Sequence, residues 1–116
     1  MYNIPFQAIN WDQVEKIQYH GEMGIATWQT LDFDGLRIRI VEYSPNYKAD
    51  HWCQKGHIVH CLEGSFICRH QNQKIFELNR GMTYIVSDTL SSHLSISKNG
   101  AKLLIIDGEF LKLRME

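Results

Sequence analysis

Residues 25–43 read IATWQTLDFDGLRIRIVEY. Two runs rich in β-branched and aromatic residues flank Asp34-Gly35, a dipeptide suited to the positive φ angles of a two-residue hairpin turn. The stretch is therefore expected to form an antiparallel hairpin, with strands over 25–33 and 36–43. In the second run Leu36, Ile38 and Ile40 alternate with Arg37 and Arg39, so one strand face is apolar and the other polar or salt-bridged.

The same period continues down the chain. Strand-like runs fall at 50–53, 57–62, 65–70, 74–78, 82–87, 92–97 and 102–106. Turn residues separate them at Glu63-Gly64, Gln71-Asn72-Gln73, Asn79-Arg80-Gly81 and Lys98-Asn99-Gly100. So many short strands with almost no helical pattern point to an all-β fold closed as a barrel or double sheet. The expected layout is one domain over 1–116, with a lead-in at 1–24 and the barrel at 25–113. In the lead-in, Asn10 is placed to cap a short helical turn whose Trp11, Val14 and Ile17 share a face.

Twelve basic against thirteen acidic residues leave a net charge of −1, so no excess of positive charge favours nucleic acid or an anionic membrane. No apolar run reaches the ~18 residues a membrane-spanning helix needs. The opening Met-Tyr-Asn-Ile-Pro also lacks a signal peptide's pattern. Three cysteines, an odd number without a small-domain disulfide spacing, fit reduced thiols in the cytoplasm. Cys61 and Cys68 read as small buried hydrophobes.

The chemistry concentrates in Asp50-His51-Trp52-Cys53-Gln54-Lys55-Gly56-His57. If 50–53 is a strand, His51 and Cys53 share a face, roughly 7 Å apart, and Trp52 points the other way. Gly56 permits a tight turn, and His57 opens the next strand beside them. His20, His60 and His70 have no comparable spacing, and His60 falls on the face opposite His57.

These residues resemble the first motif of the cupin superfamily: His51, one residue, Cys53, three residues, His57, six residues, Gly64. Gly81 and His93 resemble the ends of the second motif, with one extra residue between them and with Ser87 and Thr89 near the places of its Pro and Gly. More narrowly, 50–64 with Gly81-Met82, Ser87-Asp88, His93 and Ile105-Ile106-Asp107-Gly108 is similar to the small bacterial cupins called DHCW-motif proteins, a group defined by fold and motif. The resemblance implies a cupin-type jelly-roll barrel with a metal site of His51, Cys53, His57 and His93. In typical cupins the second ligand is His and the third Glu; Cys53 and His57 stand there instead.

Three imidazoles and a thiol favour a divalent transition metal, Zn, Fe, Ni or Cu, over Mg²⁺ or Ca²⁺. Cys53 either ligates or only lines the pocket, and Asp50 either orients His51 or caps the turn. The implied function is a small-molecule pocket with a metal at its base, either in an enzyme such as an oxygenase or isomerase, or in a non-catalytic ligand- or metal-binding module. Tyr43, Tyr84 and Arg39 are candidates for further pocket polarity. A homodimer is expected, since added burial helps so short a chain.

Overall fold

The computed structural model describes residues 2–112, so Met1 and the expected barrel limit at position 113 lie outside the described residues. The chain is almost entirely strand and turn: β1 Ile17–His20, β2 Ile25–Phe33, β3 Leu36–Tyr43, β4 Tyr47–Lys48, β5 His57–His70, β6 Ile75–Asn79, β7 Thr83–Val86, β8 His93–Ser97 and β9 Ala101–Gly108. Short 3₁₀ turns cover Trp11–Gln13 and Glu109–Leu111. No described helix is long and apolar enough to cross a membrane.

The hairpin expected at Asp34-Gly35 forms with Phe33 opposite Leu36, and its register runs to Ala26 opposite Tyr43. One curled sheet follows, in the order β1-β2-β3-β9-β5-β8-β4, with β6 and β7 also pairing β5. β5 is the common element. Its first half pairs β9 and β7, and its second half pairs β6 and β8.

The turn expected at Glu63-Gly64 is instead a bulge within β5, where the register with β9 shifts between Cys61 and Glu63. A bulge bends the strand and sharpens its twist, which lets one strand serve both halves of the barrel. Gly64 has φ +72°, and a Cβ there would lie 2.3 Å from the Gly100 carbonyl oxygen. Only glycine fits both conditions.

Two other expectations are corrected. Residues 50–53 are not a strand: only Cys53 makes an isolated bridge, to His93. The lead-in keeps its cap, Asn10 accepting from the Asp12 amide, but Ile17 opens strand β1 and does not share a helical face with Trp11 and Val14. Buried Gln29 ties this segment down, its Nε2 donating to the carbonyls of Trp11 at 2.5 Å and Val14 at 3.0 Å.

In β3 the inward face carries Arg39, Val41 and Tyr43, all lining the interior cavity. The more uniformly apolar face points out. Leu31, Ile38, Ile106, Ile58 and Ile85 stand opposite one another across β2, β3, β9, β5 and β7, forming a continuous outer row.

Gly64→Ala is expected to cost about 2–4 kcal/mol, from left-handed strain plus the clash with a backbone oxygen. Gly81 also has positive φ, but a Cβ there meets nothing within 4 Å. Gly81→Ala should therefore cost only about 1 kcal/mol. Urea denaturation of the two variants checks the contrast, and equal losses would contradict it.

Candidate metal centre

Cys53, His57 and His93 come together although they are carried by a loop, the start of β5 and the start of β8. One donor atom from each lies within 4.8 Å of the other two. His57 and His93 are 7% and 3% exposed, and their rings meet edge-on with centroids 5.6 Å apart.

The loop carrying Cys53 is clamped by backbone bonds. The Cys53 amide donates to the His93 carbonyl at 2.8 Å, and the His93 amide returns to the Cys53 carbonyl at 3.0 Å. The Thr89 amide donates to Gln54, and the Gly56 amide donates to Asp88 Oδ1 at 2.7 Å. Gly56 is needed because a Cβ would lie 2.6 Å from the Asp88 amide nitrogen.

Each imidazole is oriented through its Nδ1. His57 Nδ1 is bonded to Asp107 Oδ1, and His93 Nδ1 lies 3.0 Å from Ser91 Oγ. An Nδ1–H donated to these oxygens leaves the Nε2 lone pair free, the arrangement that orients metal-ligating histidines. His57 Nε2 lies 3.5 Å from Cys53 Sγ. His93 Nε2 is buried without a hydrogen-bond partner among the described residues.

A tetrahedral ion with S and N bonds of about 2.3 and 2.0–2.1 Å sets those donors about 3.5 Å apart. The observed spacing and the orphaned Nε2 both fit a metal.

His51 does not join them. Its side chain is 75% exposed and its Nδ1 is 2.6 Å from Asp50 Oδ1, so it stands at the mouth of the cavity. The reason is local: without a strand at 50–53, the alternation expected to put His51 beside Cys53 does not operate. Of the four expected ligands, the fold assembles three. His60 is outside the site, its Nδ1 2.8 Å from Thr83 Oγ1.

Behind His57 the network continues. Asp107 Oδ2 accepts from Arg39 Nη2 at 2.9 Å, with both side chains buried, and the Arg39 guanidinium lies 4.5 Å from the Trp28 ring centroid. Asp107 had no role in the sequence reading beyond its place in a resembling stretch. Its signal was a lone acid on the inward phase of the apolar run Leu103-Leu104-Ile105-Ile106. Tyr43, Tyr84 and Arg39, the three polarity candidates, all line the cavity.

Burial alone would raise the Cys53 thiol, but the imidazoles of His57 and His93 overcome this and bring it down to about 5. Burial would lower His57, yet its bonds to Asp107 and Cys53 raise it. Burial raises Cys61 and pushes Cys68 up to about 11.

No protein-family model matches the sequence, and no curated protein does. Solved structures do. An RmlC-like cupin from Shewanella frigidimarina is 17% identical, with 93% of this chain and 94% of that one covered at TM-score 0.70. The polyketide cyclase RemF from Streptomyces resistomycificus is 18% identical over 90% and 80% of the two chains, at TM-score 0.73. A sugar phosphate isomerase of the cupin superfamily from Silicibacter pomeroyi is 14% identical over 86% and 74%, at TM-score 0.69. These likenesses show that the chain has the cupin fold.

Alkylation of metal-free protein by iodoacetamide should modify Cys53 alone, since Cys61 and Cys68 are buried. Its rate should be flat from pH 6 to 8 and halve near pH 5, whereas an ordinary thiol of pKa about 8.5 keeps accelerating through that range. A profile still rising at pH 8 would contradict the geometry, and His57→Ala, which leaves His93 in place, should move the midpoint upward.

Proposed function

We propose that this protein is a metal-dependent small-molecule enzyme whose centre is formed by Cys53, His57 and His93. The supporting observation is that three soft or borderline donors converge at the wall of a mainly apolar cavity of about 140 Å³. Such donors select Zn²⁺, Fe²⁺, Ni²⁺ or Cu over oxygen-seeking ions. Three protein ligands beside a cavity leave a coordination position for substrate, the pattern of catalytic sites.

When bound, the metal supplies a Lewis-acid or redox centre suited to an isomerase or oxygenase. The chain's own residues do the rest. Asp107 fixes the His57 tautomer, Ser91 orients His93, and the apolar walls keep bulk water from the reacting atoms. His51, paired with Asp50 at the mouth, stands where substrate enters. Neighbours of the same fold include an isomerase and a cyclase, which is consistent with small-molecule chemistry. Metal uptake without turnover of any substrate would leave the non-catalytic binding module as the reading.

A second reading rests on one distance. With Cys53 Sγ 3.5 Å from His57 Nε2, and His57 Nδ1 on Asp107, the metal-free trio has the order of a thiol–imidazole–carboxylate relay. Metal content separates the two: a relay needs none.

Chelator-treated protein given each of the four metals in turn should take up one ion per chain, read by elemental analysis after desalting. Cys53→Ser should weaken uptake at least 10- to 100-fold, the loss expected even for residues that only support a ligand. His51→Ala should bind nearly as the wild type does. Folded wild-type protein that takes up none of the four would end the metal reading.

We also propose a cytoplasmic homodimer, for which the outer row from Leu31 to Ile85 offers a self-complementary apolar face. It spans five strands, roughly 19 Å at about 4.8 Å per strand. Ile85 is 68% exposed in the single chain. Sedimentation should give twice the chain mass, and Ile38→Lys with Ile106→Lys should give monomer with the circular dichroism spectrum kept. A monomeric wild type would remove this proposal.

A further inference from the structure

Arg39 is a charged side chain only 6% exposed, yet its hydrogen bonding is incomplete. Nη2 donates to Asp107 Oδ2 at 2.9 Å, while Nε is buried with no partner among the described residues. A buried guanidinium with an idle donor is costly unless an acceptor arrives, and a carboxylate suits its planar fork best. Arg39 lines the same cavity as Cys53, His57 and His93.

The rest of the cavity describes the ligand's body. Trp28 lies under the guanidinium, and Tyr43 and Tyr47 stack nearly parallel, 8° apart with centroids at 4.3 Å. Tyr84 closes against His93 with centroids 5.9 Å apart. These walls are flat and mainly apolar, and such surfaces favour a flat ring packed by stacking or edge contacts. The volume of about 140 Å³ is close to the roughly 150 Å³ of an engineered apolar cavity known to hold benzene. A sugar or a nucleotide is too densely polar for such walls.

From the unfilled donor of buried Arg39, the aromatic walls and the volume, we infer that the pocket takes a compact, flat, apolar-bodied monocarboxylate of about the size of benzoate. This deepens the proposed function by naming the substrate class, and rests on it for the metal beside the ligand. Arg39 binds and positions the carboxylate, and the ligand's ring packs against the aromatic lining of the cavity.

The test is calorimetric titration of wild-type protein with benzoate, benzamide and acetate, in zinc-loaded and chelator-treated forms. Benzamide keeps the ring without the charge, and acetate keeps the charge without the ring. Benzoate is expected to bind one per chain, at least tenfold tighter than either. Arg39→Lys keeps the charge but loses the fork, and should shrink the preference for benzoate over benzamide to below threefold while zinc uptake persists. Equal affinity for benzoate and benzamide overturns the anion assignment, and acetate binding as well as benzoate overturns the ring assignment. No probe binding with zinc uptake intact overturns this inference and leaves the metal centre standing. A benzoate preference in protein that takes up none of the four metals leaves this inference standing and removes the metal centre. The wild-type comparison decides the matter even where Arg39→Lys does not fold.

Discussion

A carboxylate held between an imidazole and a guanidinium inside the barrel is the interaction on which the rest depends. Asp107 on β9 meets His57 on β5 and Arg39 on β3, so one side chain joins three successive strands of the sheet through their inward faces. None of these groups can be removed singly at small cost. Losing one partner of a buried ion pair leaves a charge without compensation, typically about 3–5 kcal/mol. Replacing all three by well-packed apolar residues could leave stability unchanged or raised. What the ion network provides over an apolar core is orientation: it aims the His57 ring at Cys53, and it keeps Arg39 at the cavity wall against Trp28.

The barrel divides the centre between a firm part and a fitted part. His57 and His93 are the first residues of β5 and β8, and both are buried. Cys53 comes from an irregular segment, docked by a reciprocal pair of backbone hydrogen bonds to His93 and by the Gly56–Asp88 contact. The bulge at Gly64 turns β5 so that its first half, with His57, belongs to one side of the barrel and its second half pairs β8 on the other. Through that one strand, residues distant in sequence are drawn to a common cavity.

Much of this was legible in the sequence because strand periodicity and turn chemistry are local. The 25–43 hairpin appears with the expected limits, since Asp34-Gly35 specifies its turn and the flanking runs specify its register. The Glu63-Gly64 pair misleads for a physical reason: a glycine at positive φ serves a bulge as well as a turn, and only the partner strand decides which. β1 and the two-residue β4 carry too little pattern to announce themselves, as their pairing is set by neighbours. His57 follows Cys53 closely enough in sequence to be grouped with it, whereas His93 enters only through the resemblance to the second cupin motif, and His51 through the first motif together with the strand expected at 50–53. Arg39 is among the polarity candidates of the sequence, and Asp107 is recognisable only as an isolated charge on an inward-facing phase. Their mutual contact, spanning 68 residues, belongs to tertiary structure alone.

The placement of Cys53 on a loop, not within a barrel strand, also bears on how such a centre diversifies. A change at a strand position alters cross-strand neighbours and packing on the pleated surface, so selection for new chemistry there is coupled to selection for folding. Position 53 is released from most of that coupling: its backbone is fixed by amide and carbonyl groups that any residue except proline supplies, and its side chain is only half-buried. In the proposed metal centre, exchange of the thiol for an imidazole or a carboxylate would retune metal preference while the two histidines and their supports stay in place. The barrel thus separates heritable variation in reactivity from the inheritance of its architecture, at a single codon.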